Sequence, residues 1–277
     1  MSFRFYHIIN ALSLDVALGA GVLSLVLGRY LGLKVPVLIL LILVLTVWSI
    51  YTTDHLFDAK SIKAQASSFR HHFHQHFYRQ IRIALAFVAA GIIFLVTQIP
   101  PITVLYGFPV ILAVFAYFIL NRFFNMSFQK EILIAVLYVI GIFIGPYSLA
   151  EGNVPDEIYY LLVQLGILAW INLLVFGVYE IDHDMQDGLK STVVVLGLEK
   201  TAFMIKTLLI LSFSIGIMGL VLFYGYSAYT KLQIVFLFMT GVLGTLFFRR
   251  ETLSQQGLQY RYFGDGIFFM PVAYLWF

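Results

Sequence analysis

Two short polar stretches interrupt an otherwise apolar chain, and both carry carboxylates at helical spacing. The first reads Tyr51-Thr52-Thr53-Asp54-His55-Leu56-Phe57-Asp58. Asp54 and Asp58 stand at i and i+4, so a helix running through them puts both on one face. The second reads Tyr179-Glu180-Ile181-Asp182-His183-Asp184-Met185-Gln186-Asp187-Gly188. Glu180, Asp184 and Asp187 share a face by the i, i+4, i+7 rule, and Asp182 points elsewhere. Like charges at i, i+4 repel by a few tenths of a kcal/mol, and a bound cation reverses the sign. Hard cations such as Mg²⁺ take carboxylate oxygens and complete their shell with water and substrate phosphates. Two such faces opposite each other would hold Mg²⁺ and, through it, a diphosphate as a leaving group. The plainer reading is that helix ends at a membrane surface collect solvated charge. Two groups at equivalent places, each closing an uncharged span, favour the first reading.

The elements that must position these groups are membrane helices. Of 277 residues, 61% are hydrophobic and 11% charged, against about 45–50% and about 25% in soluble domains. Too few charges remain to coat a soluble surface, which excludes an ordinary cytosolic enzyme, a nucleic-acid partner and a disordered chain. There is no Cys, so thiolate metal sites, disulfides and Cys nucleophiles are excluded too. Runs long enough to span the bilayer as helices, roughly 17–25 residues, fall at 8–27, 35–53, 83–96, 102–120, 132–149, 158–179, 207–226, 232–248 and, shorter, 266–277. They are too long and unalternating for outer-membrane strands. The first run lacks a clear cleavage site and is read as a span rather than a signal peptide. With the N-terminus inside, only Arg29, Lys34 and Lys231 of the 17 basic residues face out, as the positive-inside bias requires. The expectation is an all-α, polytopic bundle of nine transmembrane helices around a central chamber. It forms one domain over 1–277, with a cytoplasmic N-terminus and a cytoplasmic cap made by the 54–82 and 180–206 insertions.

Taken together, these stretches resemble the UbiA superfamily of intramembrane prenyltransferases, which has nine helices and two aspartate-rich motifs, after helices two and six. The second motif carries most of the likeness: Asp184-Met185-Gln186-Asp187-Gly188-Leu189-Lys190-Ser191-Thr192, then Leu196-Gly197. Its Lys-Ser-Thr form is similar to the 4-hydroxybenzoate branch, with one residue fewer after the Gly. Glu180 stands where the family has Asp. In the first motif Asp54 and Asp58 match the spaced aspartates. Ile50-Tyr51 replace the family's Asn-Asp, His55 replaces its Arg, and no Arg-Pro follows. After span four, Tyr117 and Asn121-Arg122 are similar to the family's Tyr and Lys-Arg; in span one, Leu14-Asp15 and Gly19 match part of its Arg-Leu-Asp-Lys-Pro and following Gly.

The resemblance implies a Mg²⁺-dependent transfer of a prenyl group from a polyprenyl diphosphate to an acceptor of aromatic type, as in quinone biosynthesis. It places the protein in the bacterial inner membrane with the site facing the cytoplasm. Asp54, Asp58, Glu180 and Asp184 would be catalytic and, with Asp187, metal-binding. Lys63, Arg70, Arg122 and Lys190 would meet the diphosphate. Asp15, Tyr51, Tyr117 and Asn121 would orient the acceptor or stabilise an allylic cation. The 27 Phe and 17 Tyr suit a chamber for a long apolar chain and a cation, and equally suit ordinary membrane helices.

Other polar outliers stay open. Arg70-His71-His72-Phe73-His74-Gln75-His76 pairs His71 with His74 and His72 with His76 at helical spacing. This is either a transition-metal site or an interfacial segment meeting diphosphate or headgroups. Asp15, inside a span, orients an acceptor, pairs with a cation such as Arg122, or accepts an interhelical hydrogen bond. Asn172 reads as an interhelical hydrogen bond, and Asp265 as interfacial. Two alternative functions remain: a metal-ion transporter built on the His and carboxylate clusters, and a non-catalytic isoprenoid-binding family member. Against transport, the charges gather at one membrane surface rather than at midplane.

Overall fold

The computed structural model describes residues 2–124, 128–253, 257 and 259–276, with the side chains of 2–5, 122, 124, 128 and 129 outside that description. Every regular element among the described residues is helical. In chain order they are α1 (Ser2–Ala11), α2 (Leu14–Tyr30), α3 (Val37–Ser61), α4 (Phe69–His76), α5 (Tyr78–Val96), α6 (Pro101–Phe124) and α7 (Phe128–Leu149). There follow α8 (Glu157–Asp187), α9 (Thr192–Leu196), α10 (Leu198–Leu222), α11 (Ser227–Phe248), α12 (Arg250–Leu253), α13 (Gln259–Gly266) and a terminal 3₁₀ segment, Ile267–Trp276.

Seven of these are long and apolar enough to cross a membrane: α3, α5, α6, α7, α8, α10 and α11. They correspond to the second through eighth apolar runs. The two end runs differ from the sequence expectation. The first breaks in two: α1 stops at Ala11, Ser13 takes a left-handed conformation at φ 52°, and α2 restarts at Leu14. The polar residues flanking the break explain it, since Asn10 Nδ2 donates to Asp15 Oδ2 across it at 2.9 Å. The last run is the 3₁₀ segment, with Pro271 inside it, and it packs along α2 and α11.

The core runs along α8. Its residues Ile158, Leu161, Leu165, Leu168 and Val175 are fully buried at i, i+3, i+4 spacing, against α7, α10 and α11. Gln164 and Gln233 clamp these helices: Gln233 Nε2 donates to Gln164 Oε1 at 2.6 Å, and Gln164 Nε2 donates to Ser212 O at 3.1 Å. On the other flank α2 packs on α3, α7 and the terminal segment. Helices α5 and α6 turn large apolar side chains outward, including Phe87, Phe94, Leu105 and Phe115. That is the surface a bilayer covers at no hydrophobic cost.

Two helix ends matter for the site. The apolar run of α3 ends near Thr53, but the helix continues to Ser61, so Asp54, His55 and Asp58 ride on its last turns. Likewise α8 continues to Asp187 and stops at Gly188, which adopts φ 69°. Leu189 N–H then bonds back to Asp184 O at 2.8 Å, the six-to-one closure that a left-handed glycine permits.

Candidate active site

The extended ends of α3 and α8 border one cavity of about 810 Å³. Asp54, Asp58, Glu180, Asp184, Arg70, Lys190, Asp15, Tyr51 and Asn121 all line it, so most of the residues singled out in the sequence converge. Phe118, Ile134, Ala135, Leu173, Phe176 and Phe268 supply apolar wall.

On the α3 side a cation already sits between the carboxylates. Lys130 Nζ, from the start of α7, lies 3.1 Å from Asp54 Oδ2 and 3.6 Å from Asp58 Oδ2. Behind Asp54, the buried Tyr117 donates its hydroxyl to Oδ1 at 3.3 Å. Tyr117 therefore supports a carboxylate and does not line the chamber wall. Lys130 counted only as one more cytoplasmic charge in the sequence; an ammonium at the mouth of an apolar run was its sole signal.

On the α8 side Glu180 departs from its expected part as a metal ligand. Arg261 brings Nη2 and Nε to Oε1 at 2.5 and 2.6 Å. Tyr260 donates its hydroxyl to the same oxygen at 2.8 Å, and Arg70 Nη2 reaches Oε2 at 3.2 Å. Both oxygens are occupied by strong, charge-assisted donors, so Glu180 is the anchor of two arginines. Arg261 also lies 4.6 Å over the Phe176 ring, and its pKa is driven up by the Glu180 carboxylate despite burial. Arg261 sits outside both insertions, which is why sequence reading passed over it.

Asp187 also faces away from the cavity. It accepts from Ser67 N at 2.8 Å and stands 3.7 Å from His71 Nδ1, which ties the first insertion to the end of α8. Lys63 is exposed in the turn after α3 and does not reach the cavity; Lys60, still on the helix, does. The Arg122 side chain lies outside the described residues. The loop after Gly188 is fixed over the mouth by α7: Glu131 accepts from Thr192 N at 3.0 Å and from Thr192 Oγ1 at 2.6 Å.

The inner end of the cavity holds a second polar group. Asn10 Nδ2 donates to both Asp15 Oδ2 and Asp265 Oδ2, at 2.9 and 3.1 Å. Asn172 Nδ2 approaches Asp265 Oδ1 at 3.5 Å, the interhelical contact expected of it. Asp265 is 2% exposed, not interfacial, because α13 folds inward against α8 and α2. Burial, and next the Asp15 carboxylate, push its pKa up to about 8.

The histidines of α4 divide by face. His71 and His74 are buried, while His72 is half-buried and His76 exposed. Burial lowers the pKa of His71 to about 3 and of His74 to about 4.

Comparison with known proteins gives the family and the fold. The profile of the UbiA prenyltransferase family matches residues 79–270. The fold is similar to that of a UbiA homolog from Archaeoglobus fulgidus bound to GPP and Mg²⁺, at TM-score 0.67 and 16% identity, over 98% of this chain and 100% of that one. It is also similar to a structure of a UbiA homolog from the same organism bound to DMAPP and Mg²⁺, at TM-score 0.65 and 15% identity, over 96% and 98%. No curated protein matches. With the profile covering more than half of the chain and the fold shared nearly end to end, this chain belongs to the UbiA prenyltransferase family.

Proposed function

We propose that this protein transfers a prenyl group from a polyprenyl diphosphate to an aromatic acceptor of the kind used in quinone biosynthesis, inside the membrane and with Mg²⁺. The observation that carries the proposal is the single cavity that joins carboxylates and cations at its mouth to an apolar, aromatic wall within. The homologous structures with DMAPP or GPP and Mg²⁺ support the same chemistry. We also read nine membrane crossings, the two end runs included, in one domain of the bacterial inner membrane. The N-terminus, the cap and the cavity mouth then face the cytoplasm, in keeping with the basic residues on that side.

The residues present fit Mg²⁺. Asp54, Asp58 and Asp184 offer carboxylate oxygens, the donors a hard cation takes, and Lys130 shows that the α3 pair accepts a cation between its members. These three aspartates would hold the metal. When bound there, Mg²⁺ supplies neutralisation of the departing diphosphate. The chain's own groups do the rest. Arg70 and Arg261, held by Glu180, keep positive charge beside the mouth, and Lys130 and Lys190 add to it. In the transfer the C1–O bond of the prenyl diphosphate breaks and the diphosphate leaves with the electron pair. Tyr51, Tyr138 and Phe268 present ring faces or edges around the chamber, where a face stabilises an allylic cation. The acceptor forms the new bond to C1. Its displaced proton has carboxylate oxygens of Asp15 and Asp265, bridged by Asn10 at the inner end of the cavity, as its nearest acceptors.

The test is turnover by the purified protein with Mg²⁺, labelled DMAPP or GPP and a panel of aromatic acceptors. Asp54→Asn and Asp184→Asn should each abolish transfer. Undiminished turnover in either would overturn the mechanism.

A further inference from the structure

Two buried histidines are left unsatisfied in a polar pocket. His55 on α3 is 6% exposed and His71 on α4 is 3% exposed. His55 Nε2 stands 3.0 Å from Ser13 Oγ. The other three ring nitrogens, His55 Nδ1 and both of His71, have no hydrogen-bond partner among the described residues. Buried nitrogens of this kind are nearly always bonded, so their common orphaning asks for a ligand.

Asp58 follows His55 by three residues on α3, which puts the two on one helix face. One nitrogen from each histidine and one Asp58 oxygen all lie within 4.8 Å of one another. We propose that His55, His71 and Asp58 form a binding site for a divalent transition ion of the Zn²⁺ class, with a coordination position open to the cavity. Two imidazoles and one carboxylate are a ligand set for Zn²⁺ or Fe²⁺ rather than Mg²⁺, which takes oxygen. Three protein ligands plus an open position is the pattern of reactive rather than purely structural zinc.

The surroundings match what such ligands require. A metal-bound imidazole turns its other nitrogen to a carboxylate or hydroxyl that fixes the ring. Asp187 Oδ2 stands 3.7 Å from His71 Nδ1 and has no hydrogen-bond partner of its own among the described residues. That assigns His71 Nε2 to the metal, as Ser13 assigns His55 Nδ1. The site borders the Asp54–Asp58 pair and shares Asp58 with it, but it is read from ligand chemistry and does not depend on prenyl transfer.

The experiment uses the full chain in detergent, stripped of metal and titrated with Zn²⁺ in excess Mg²⁺, with no substrate. One Zn²⁺ per chain should be retained. His55→Gln and His71→Ala should each weaken it by more than the roughly 10–100-fold that loss of a supporting partner alone costs. His72→Gln and His76→Gln, on the outer face, should leave it unchanged. Thermal unfolding verifies that each variant is folded. If His71→Ala does not fold, His55→Gln and the Co²⁺ spectrum of the unaltered protein, read for histidine nitrogen ligation, decide the matter. Zn²⁺ displaced by Mg²⁺, or retained equally in the His55 variant, overturns the site. Mg²⁺-supported transfer by the Zn²⁺-free protein is read in a separate assay, so failure of one proposal is distinguishable from failure of the other.

Discussion

Arg261→Ala isolates what the Glu180 anchor contributes. The substitution removes two short contacts to Glu180 Oε1 and a cation 4.6 Å over the Phe176 ring. Both partners are largely buried, at 7% and 13% side-chain exposure, so this is not a surface ion pair. Breaking a buried pair from one side costs about 3–5 kcal/mol, mostly because the remaining charge is left uncompensated. Arg70 and Tyr260 still hold Glu180, which puts the expected loss near the lower end, about 3 kcal/mol. The ring contact contributes on the order of 0.5–2 kcal/mol of that. At about 2–4 °C per kcal/mol for chains near this size, the unfolding midpoint in detergent should fall by roughly 6–12 °C. The decisive measurement is the double variant. Arg261→Ala with Glu180→Gln removes the buried carboxylate charge and leaves only the more exposed Arg70 without its partner, so it should recover part of the loss, whereas independent effects would add. A double variant as unstable as Arg261→Ala, or less stable, would refute the claim that Glu180 is a charge held by its arginines.

Further outcomes follow from the same geometry. Asp265 has a folded-state pKa raised to about 8, so the folded chain holds a proton that the unfolded chain, near the ordinary 3.9, releases. Its contribution to stability is fully present below about pH 4 and is lost as pH rises towards 8; Asp265→Asn should therefore flatten the pH dependence of the unfolding midpoint between pH 5 and 9, and an unchanged slope would count against it. Gly264→Ala would place a Cβ 2.5 Å from the Phe176 ring and 2.7 Å from Asn172 Oδ1, costing about 1–3 kcal/mol by overpacking, while Gly266→Ala meets nothing within 4 Å and should be near neutral by the same unfolding assay. Lys130→Met frees the Asp54–Asp58 pair, so half-saturation should need less Mg²⁺ even as turnover falls; a higher Mg²⁺ requirement in a titration of transfer activity would contradict the shared-site reading. Gln164→Leu leaves the Gln233 amide buried without its partner, which costs about 1–3 kcal/mol, and adding Gln233→Leu should restore much of the unfolding midpoint.

The seven interior spans were legible because each is a long apolar run, and hydrophobicity alone fixes a membrane helix. The end runs were not, because their structure is set by single contacts. Asn10 and Asp15 look like flaws in a span, yet they hydrogen-bond to each other across the break between α1 and α2. The common face of Asp54 and Asp58, and that of Glu180 and Asp184, was legible from helical spacing, since period is a local property; their meeting at one cavity was expected only from their equivalent placement and the family resemblance. Their partners were not: Lys130 and Arg261 lie 76 and 81 residues from the carboxylates they hold, and no periodicity reports such a distance. Lys63 failed for a smaller reason, as α3 ends at Ser61 and only Lys60 keeps the helical direction.

The family profile begins at residue 79, after the whole of the first carboxylate stretch. The region that departs most from the family pattern in sequence is therefore also where the unsatisfied His55 and His71 stand beside Asp58. His55 occupies the position where the resemblance expects Arg. A cation fixed to the backbone there would need no metal, whereas a buried imidazole beside two aspartates offers an unpartnered ring nitrogen instead. Replacing the fixed cation by a nitrogen ligand restores the positive charge only if an ion binds. With the proposed site, the divergence of the first stretch and the orphaned histidines become one feature: a mouth whose positive charge would come from Lys130 and a bound ion on the α3 side and comes from Arg70 and Arg261 on the α8 side.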